Sequence, residues 1–141
     1  MHRIREFNQQ AVRLATAALK ARSSRFVNHA RDVTIAGSTK PWPLQLRAAF
    51  DSGARAGRAG GGWCIEGCIG SNWLTLFEQS LFLDKATSTA AELAAAADLS
   101  EFLGELMSVR ESEDVAGMGG DRLATARPEP RARLCLFGSL W

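Results

Sequence analysis

The chain has 141 residues, 46% of them hydrophobic, and carries a net charge of only +2. That length suits one domain, and three cysteines are too few and odd in number for a disulfide-stapled scaffold. No apolar run approaches the ~18 residues of a membrane helix and the N-terminus lacks the apolar stretch of a secretory signal, so an intracellular, soluble protein is expected.

Residues 1–52 read as a basic N-terminal arm. Ile4, Phe7, Ala11, Leu14 and Ala18 recur at steps of three and four, and Ala15 and Leu19 widen the stripe. This predicts an amphipathic helix over 3–22. Residues 1–31 hold seven Arg/Lys and one acid, Glu6, and so resemble a mitochondrial targeting segment, which implies import. A basic surface helix packed on the acidic half of the chain accounts for the same residues. Residues 32–43 look extended, with one short strand where Val33 and Ile35 alternate with polar neighbours. Pro41 and Pro43 block a helix there, and Pro43 can open a short helix through Phe50.

Residues 53–62 contain five glycines with Arg55 and Arg58 and read as a flexible Gly/Arg linker at a domain boundary. The charge changes sign there. Residues 1–60 carry a net +8, residues 61–121 a net −9, and residues 122–141 a net +3. Such segregation is an argument about partners. The basic arm suits an acidic protein, a nucleic acid, an anionic membrane, or the chain's own acidic middle.

Residues 63–110 read as a helical core. Asn72 can cap a helix over 73–84 with a wide apolar face of Trp73, Leu74, Leu76, Phe77, Leu81, Phe82 and Leu83. Thr89 and Glu92 have capping-box spacing for a helix from Ala90. Asp98 then interrupts, and Leu99, Phe102, Leu103, Leu106 and Met107 form a second stripe. Residues 111–141 form an acidic-to-basic flexible tail, poorly ordered over 111–133. The expected fold is therefore mainly α: a small helical bundle or hairpin with a flexible Gly-rich linker and a poorly ordered C-terminal tail.

Two local resemblances follow. Glu92-Leu93-Ala94 and Leu99-Ser100, within Thr89 to Met107, resemble a helix-turn-helix, with Leu93 and Leu99 pinning two helices and Ser100 capping the second. The position usually held by a turn glycine is Asp98, and the second helix carries Glu101 and Glu105 with no cation before Arg110, so no DNA-reading residue is assigned. Leu81 to Met107 also resembles the winged-helix dimerisation segment that precedes some S-adenosylmethionine-dependent O-methyltransferase domains. Leu81-Phe82-Leu83-Asp84, Thr89 to Ala94, and Phe102-Leu103 with Leu106-Met107 carry that resemblance. It implies packing and dimerisation, not catalysis.

Reactive groups are sparse. Cys64 and Cys68, spaced C-x3-C, could join Cys135 and His29 around zinc, but the spacing is not that of a zinc knuckle or ribbon. His2 and His29 read as solvated side chains, and Glu101 with Glu105 as a solvent face. Gly37-Ser38-Thr39-Lys40 lacks the earlier glycine of a phosphate loop, and Pro41 prevents the helix that should follow. No catalytic residue, cofactor or metal is expected. The function read from the sequence is a small non-catalytic interaction or regulatory protein acting through amphipathic helices. Its partner is another protein or a second copy of the chain, and Phe77, Leu81, Leu99, Phe102, Leu103 and Leu106 are the packing or docking residues. The alternatives are a nucleic-acid-binding module using the basic arm, and a winged-helix-like dimerisation fragment or accessory subunit related to a methyltransferase.

Overall fold

The computed structural model describes residues 2–30, 45–69, 71–108 and 133–138. Helix α1 (His2–Ala21) is followed by strand β1 (Arg25–Asn28). A meander of β2 (Gln45–Arg55), β3 (Arg58–Ile69) and β4 (Asn72–Leu83) leads into helix α2 (Ser88–Ser108), and β5 (Arg133–Gly138) ends the order. The strands form one sheet in the order β1-β4-β3-β2-β5. All neighbours are antiparallel except β5, which runs parallel to β2.

The mainly α expectation is overturned, and with it the description of the protein as a set of amphipathic helices. The stretch read as a Gly-rich linker is a hairpin. Arg55 pairs with Arg58 across the turn residues Ala56 and Gly57. Both of these have positive φ, +54° and +78°, the geometry of the two-residue turn whose twist matches antiparallel strands. The glycines that follow lie in the central strand because helices press on both of its faces. A Cβ on Gly60 would lie 2.3 Å from the carbonyl oxygen of Ala15, and one on Gly62 2.5 Å from that of Ala11. On the opposite face, a Cβ on Gly61 would lie 2.8 Å from the carbonyl oxygen of Ala91. Thus α1 and α2 sandwich β3, and each helix turns a line of alanines to the sheet.

The helix expected over 73–84 is strand β4, and the short helix expected from Pro43 gives way to β2 from Gln45 onward. A strand covered on both faces loses the alternation of apolar and polar residues. A bulge disguises β4 further. Ile65 faces Phe77 while Glu66 faces Thr75, leaving Leu76 as the extra residue. Thr75 and Glu78, three residues apart, consequently both meet Gln10 of α1. Three-residue periodicity on a strand looks helical in the sequence.

Helix α2 runs unbroken from Ser88 to Ser108, with no turn at Asp98. The hairpin of two helices is therefore not formed. Its cap is Thr87 rather than Thr89: the Ala90 N–H donates to the Thr87 Oγ1 at 3.1 Å. Asp98 accepts a 2.8 Å hydrogen bond from the buried Trp63 indole, which explains a carboxylate in an otherwise apolar stretch. The strand expected at Val33–Ile35 lies outside the described residues. So does the tail expected to be poorly ordered over 111–133, apart from Arg133 at the start of β5.

The main core lies between the sheet and α2. Phe102 is its centre, with ring centroids 4.7 Å from Phe77, 5.1 Å from Trp63 and 5.6 Å from Phe26. Leu46, Ile65, Leu76, Leu99 and Leu106 complete it. The α1 side is thinner, with Ala11, Ala49, Cys64 and Leu14 in contact. There, small residues and a polar network replace large apolar side chains.

Candidate interaction surface and polar network

The structure brings all six candidate packing residues together. Phe77, Leu99, Phe102, Leu103 and Leu106 belong to the core between the sheet and α2, and Leu81 packs against it. Their side chains are turned inward, so the apolar stripes meet each other within this chain rather than forming an open seam.

Sequence reasoning missed a polar network under α1. His29 follows β1, and its Nε2 lies 2.5 Å from the Glu78 carboxylate. The Gln10 amide donates to the Glu78 Oε2 at 3.1 Å and to the Thr75 hydroxyl at 3.2 Å. Thr75 donates a long 3.4 Å bond to Glu66. The Arg47 guanidinium bonds Glu66, with Nε donating at 2.7 Å, and lies 4.3 Å over the Trp73 ring. The network joins β1, β4, β3 and β2 beneath one helix. Its members sit at positions 10, 29, 47, 66, 75 and 78, so no local motif could have announced it. Each carboxylate has a cationic or amide partner, which is what burial of charge demands. The arrangement holds α1 on the sheet and offers no nucleophile paired with a base.

Cys64 is buried beneath this network, paired in register with Glu78. Burial, reinforced by the negative charge of Glu66 and Glu78, pushes its thiol well above the ordinary value. Such a thiol is a packing group rather than a nucleophile or ligand. Cys68 lies in the same strand, half-buried. Among the described residues, no three His, Cys, Asp or Glu side chains gather in a metal-holding group.

A second polar contact lies where β2 meets both helices. The Asn8 side-chain amide donates to Asp51 at 2.7 Å. Glu92 of α2 is buried, with its Oε1 unpartnered. Burial and the neighbouring charge of Asp51 raise its carboxyl above the usual range.

The charge segregation in the sequence takes a different form in space. The C-terminus of α1, the start of β1, the β2–β3 turn and the β4–α2 turn all meet at one end of the sheet. Two hydrogen bonds fix this. The Phe82 N–H donates to the Ser24 hydroxyl at 3.0 Å, and the Ala86 N–H to the Gly57 carbonyl at 3.1 Å. Lys20, Arg22, Arg25, Arg55 and Lys85 are exposed there. Arg58 reaches Asp84 at 3.6 Å, and among the described residues Asp84 is the one acid within these turns. Lys85 comes from the half of the sequence with net negative charge and Arg55 from the expected linker, so the basic surface joins part of the basic arm to cations outside it. Elsewhere, the exposed large hydrophobic residues are Val12, Leu74 and Leu93, among the described residues. No described helix is long and apolar enough to cross a membrane.

Comparison with protein-family models, curated proteins and solved structures finds no match to this chain.

Proposed function

We propose that this protein is a small interaction protein that engages an anionic partner with the basic end of its sheet. The observation behind this reading is the convergence of Lys20, Arg22, Arg25, Arg55 and Lys85, all exposed, on one end whose described turns contain a single acid, Asp84. These side chains come from three stretches, 20–25, 55 and 85, that are far apart in the sequence. The six apolar residues that suggested docking through helices lie in or against the protein's own core, and the clustered charge offers a means of contact instead. Clustered like charge steers an oppositely charged partner and raises its rate of encounter.

The test is salt-dependent retention on an immobilised sulfated polysaccharide. A variant with Lys20, Arg22, Arg55 and Lys85 changed to Ser should elute at clearly lower salt than the unaltered protein. A control with the same charge change at Arg3, Arg5, Arg13 and Arg122 should elute later than that variant. Equal elution of the two would show that only net charge matters and would remove the basic end as a contact surface.

A further inference from the structure

Resting on that reading, we infer that the partner of the basic end is the phosphate backbone of a nucleic acid, held without readout of base sequence. The layout comes first. Arg25 opens β1, Lys85 follows β4, Arg58 opens β3 and Arg55 closes β2, so each of four adjacent strands ends in a cation. Arg25 is set back along the sheet, pairing with Ser80, whereas Arg58 and Arg55 pair with each other beyond the level of Leu83, so the cations form a staggered row three strand spacings, roughly 14 Å, across. Lys20 and Arg22, at the end of α1, flank the row on one face. A row of point charges suits a linear polyanion.

The chemistry between the cations is polar. Ser23, Ser24 and Thr87 occupy the same turns, and Ser88 and Thr89 open α2 beside them. Arg, Lys and hydroxyl side chains are the usual donors to phosphate oxygens. A protein partner needs more than this, because protein interfaces are centred on buried aromatic or aliphatic anchors. Val12, Leu74 and Leu93, the exposed large hydrophobic residues among those described, all lie outside these turns. Protein–nucleic acid interfaces are more polar and far more positive. Phe82, the aromatic residue nearest this end, is half-buried in β4. Among the described residues that leaves no exposed ring at this end on which a base could stack, so the contact is to backbone.

Arg22 and Lys85 both have a φ of +52°. Arg22 directly follows α1, at the position where glycine ordinarily ends a helix. Long cationic side chains are thus held in the left-handed region, where glycine would sit without strain. Glycine therefore fits both positions, so replacing the two cations by glycine removes charge without straining the backbone.

The experiment follows binding of a fluorescent single-stranded oligonucleotide and a duplex, each of about twenty nucleotides, to the full chain at about 50 and 200 mM salt. Four phosphate contacts predict roughly a hundredfold loss of duplex affinity across that range. Scrambled sequences should bind equally. The variant R22G/K85G should bind more weakly, with a salt slope lower by about 1 for each phosphate no longer neutralised, while its melting temperature stays level or rises. Arg55→Ser, on an exposed strand end, gives a second reading of the same weakening. Failure of both probes to bind, with polyglutamate or sulfated polysaccharide still bound, would overturn the nucleic-acid inference and leave the anionic-partner reading standing. Failure of every polyanion would remove both. Undiminished binding by R22G/K85G and Arg55→Ser, or a tenfold or greater preference among base sequences, would also overturn it.

Discussion

Gly61 of β3 lies directly beneath Ala91 of α2, so that a Cβ on the glycine would come within 2.8 Å of the alanine carbonyl oxygen. Because the obstacle is helix backbone, no side-chain rotation relieves it. Gly61→Ala should therefore destabilise the protein by about 1–3 kcal/mol, the usual cost of overpacking. Gly104 of α2 is the counterpart, where an added Cβ would meet nothing within 4 Å. Gly104→Ala should stabilise by about 1 kcal/mol through helix propensity. Denaturant melts of the two variants should move in opposite directions. A stable Gly61→Ala protein would mean that α2 does not lie on β3 this closely.

The Trp63 indole is fully buried and donates to Asp98 at 2.8 Å. Asp98→Ala strands that N–H in an apolar core and should cost about 1–3 kcal/mol. Asp98→Asn keeps an acceptor and should cost less. Equal stability of the two variants, measured by urea unfolding, would show that the bond contributes nothing.

Glu92 gives the stability a pH dependence of known sign. Its carboxyl is raised above the ordinary 4.5 by burial first and by Asp51 second. A group raised on folding contributes fully below its unfolded value, and the contribution is lost as pH rises through the folded value. Glu92→Gln removes the buried charge. Its melting temperature should exceed that of the unaltered protein near pH 8, with the gap narrowing near pH 4. A gap that widens on acidification would reverse the assignment.

Cys64 and Cys68 should react differently. Cys64 is fully buried with its thiol pushed up, whereas Cys68 is half-buried. An alkylating reagent added to native protein should label Cys68 first, and Cys64 only on unfolding. Peptide mapping by mass spectrometry reads both sites. Early labelling of Cys64 would show that α1 lifts readily from the sheet.

The two helices were legible because their signals are local. Ala11, Leu14, Ala15 and Ala18 keep the helical step in α1, and the Ala90–Ala97 run favours α2 without reference to anything distant. The strands were not legible, for two separate reasons. The glycines at 60–62 resemble a linker unless one knows that a helix backbone crosses each face. The bulge at Leu76 places Thr75 and Glu78 on one face, which imitates the step of a helix. The network joining Gln10, His29, Arg47, Glu66, Thr75 and Glu78 had no sequence signature because it is assembled across four strands and a helix.

Composition and local periodicity alone determined that residues 3–22 and the stretch from Ala90 are helical, that apolar residues are enough for a core, and that cations are in excess toward the beginning of the chain. Those properties depend only on neighbours in the chain. Tertiary structure decided which apolar residues face inward, that the glycine run becomes a central strand, and that Lys85 joins Lys20, Arg22, Arg25 and Arg55 at one end of the sheet. Strand pairing links residues far apart in sequence, and the register that sets their faces is an energy of the whole packed sheet.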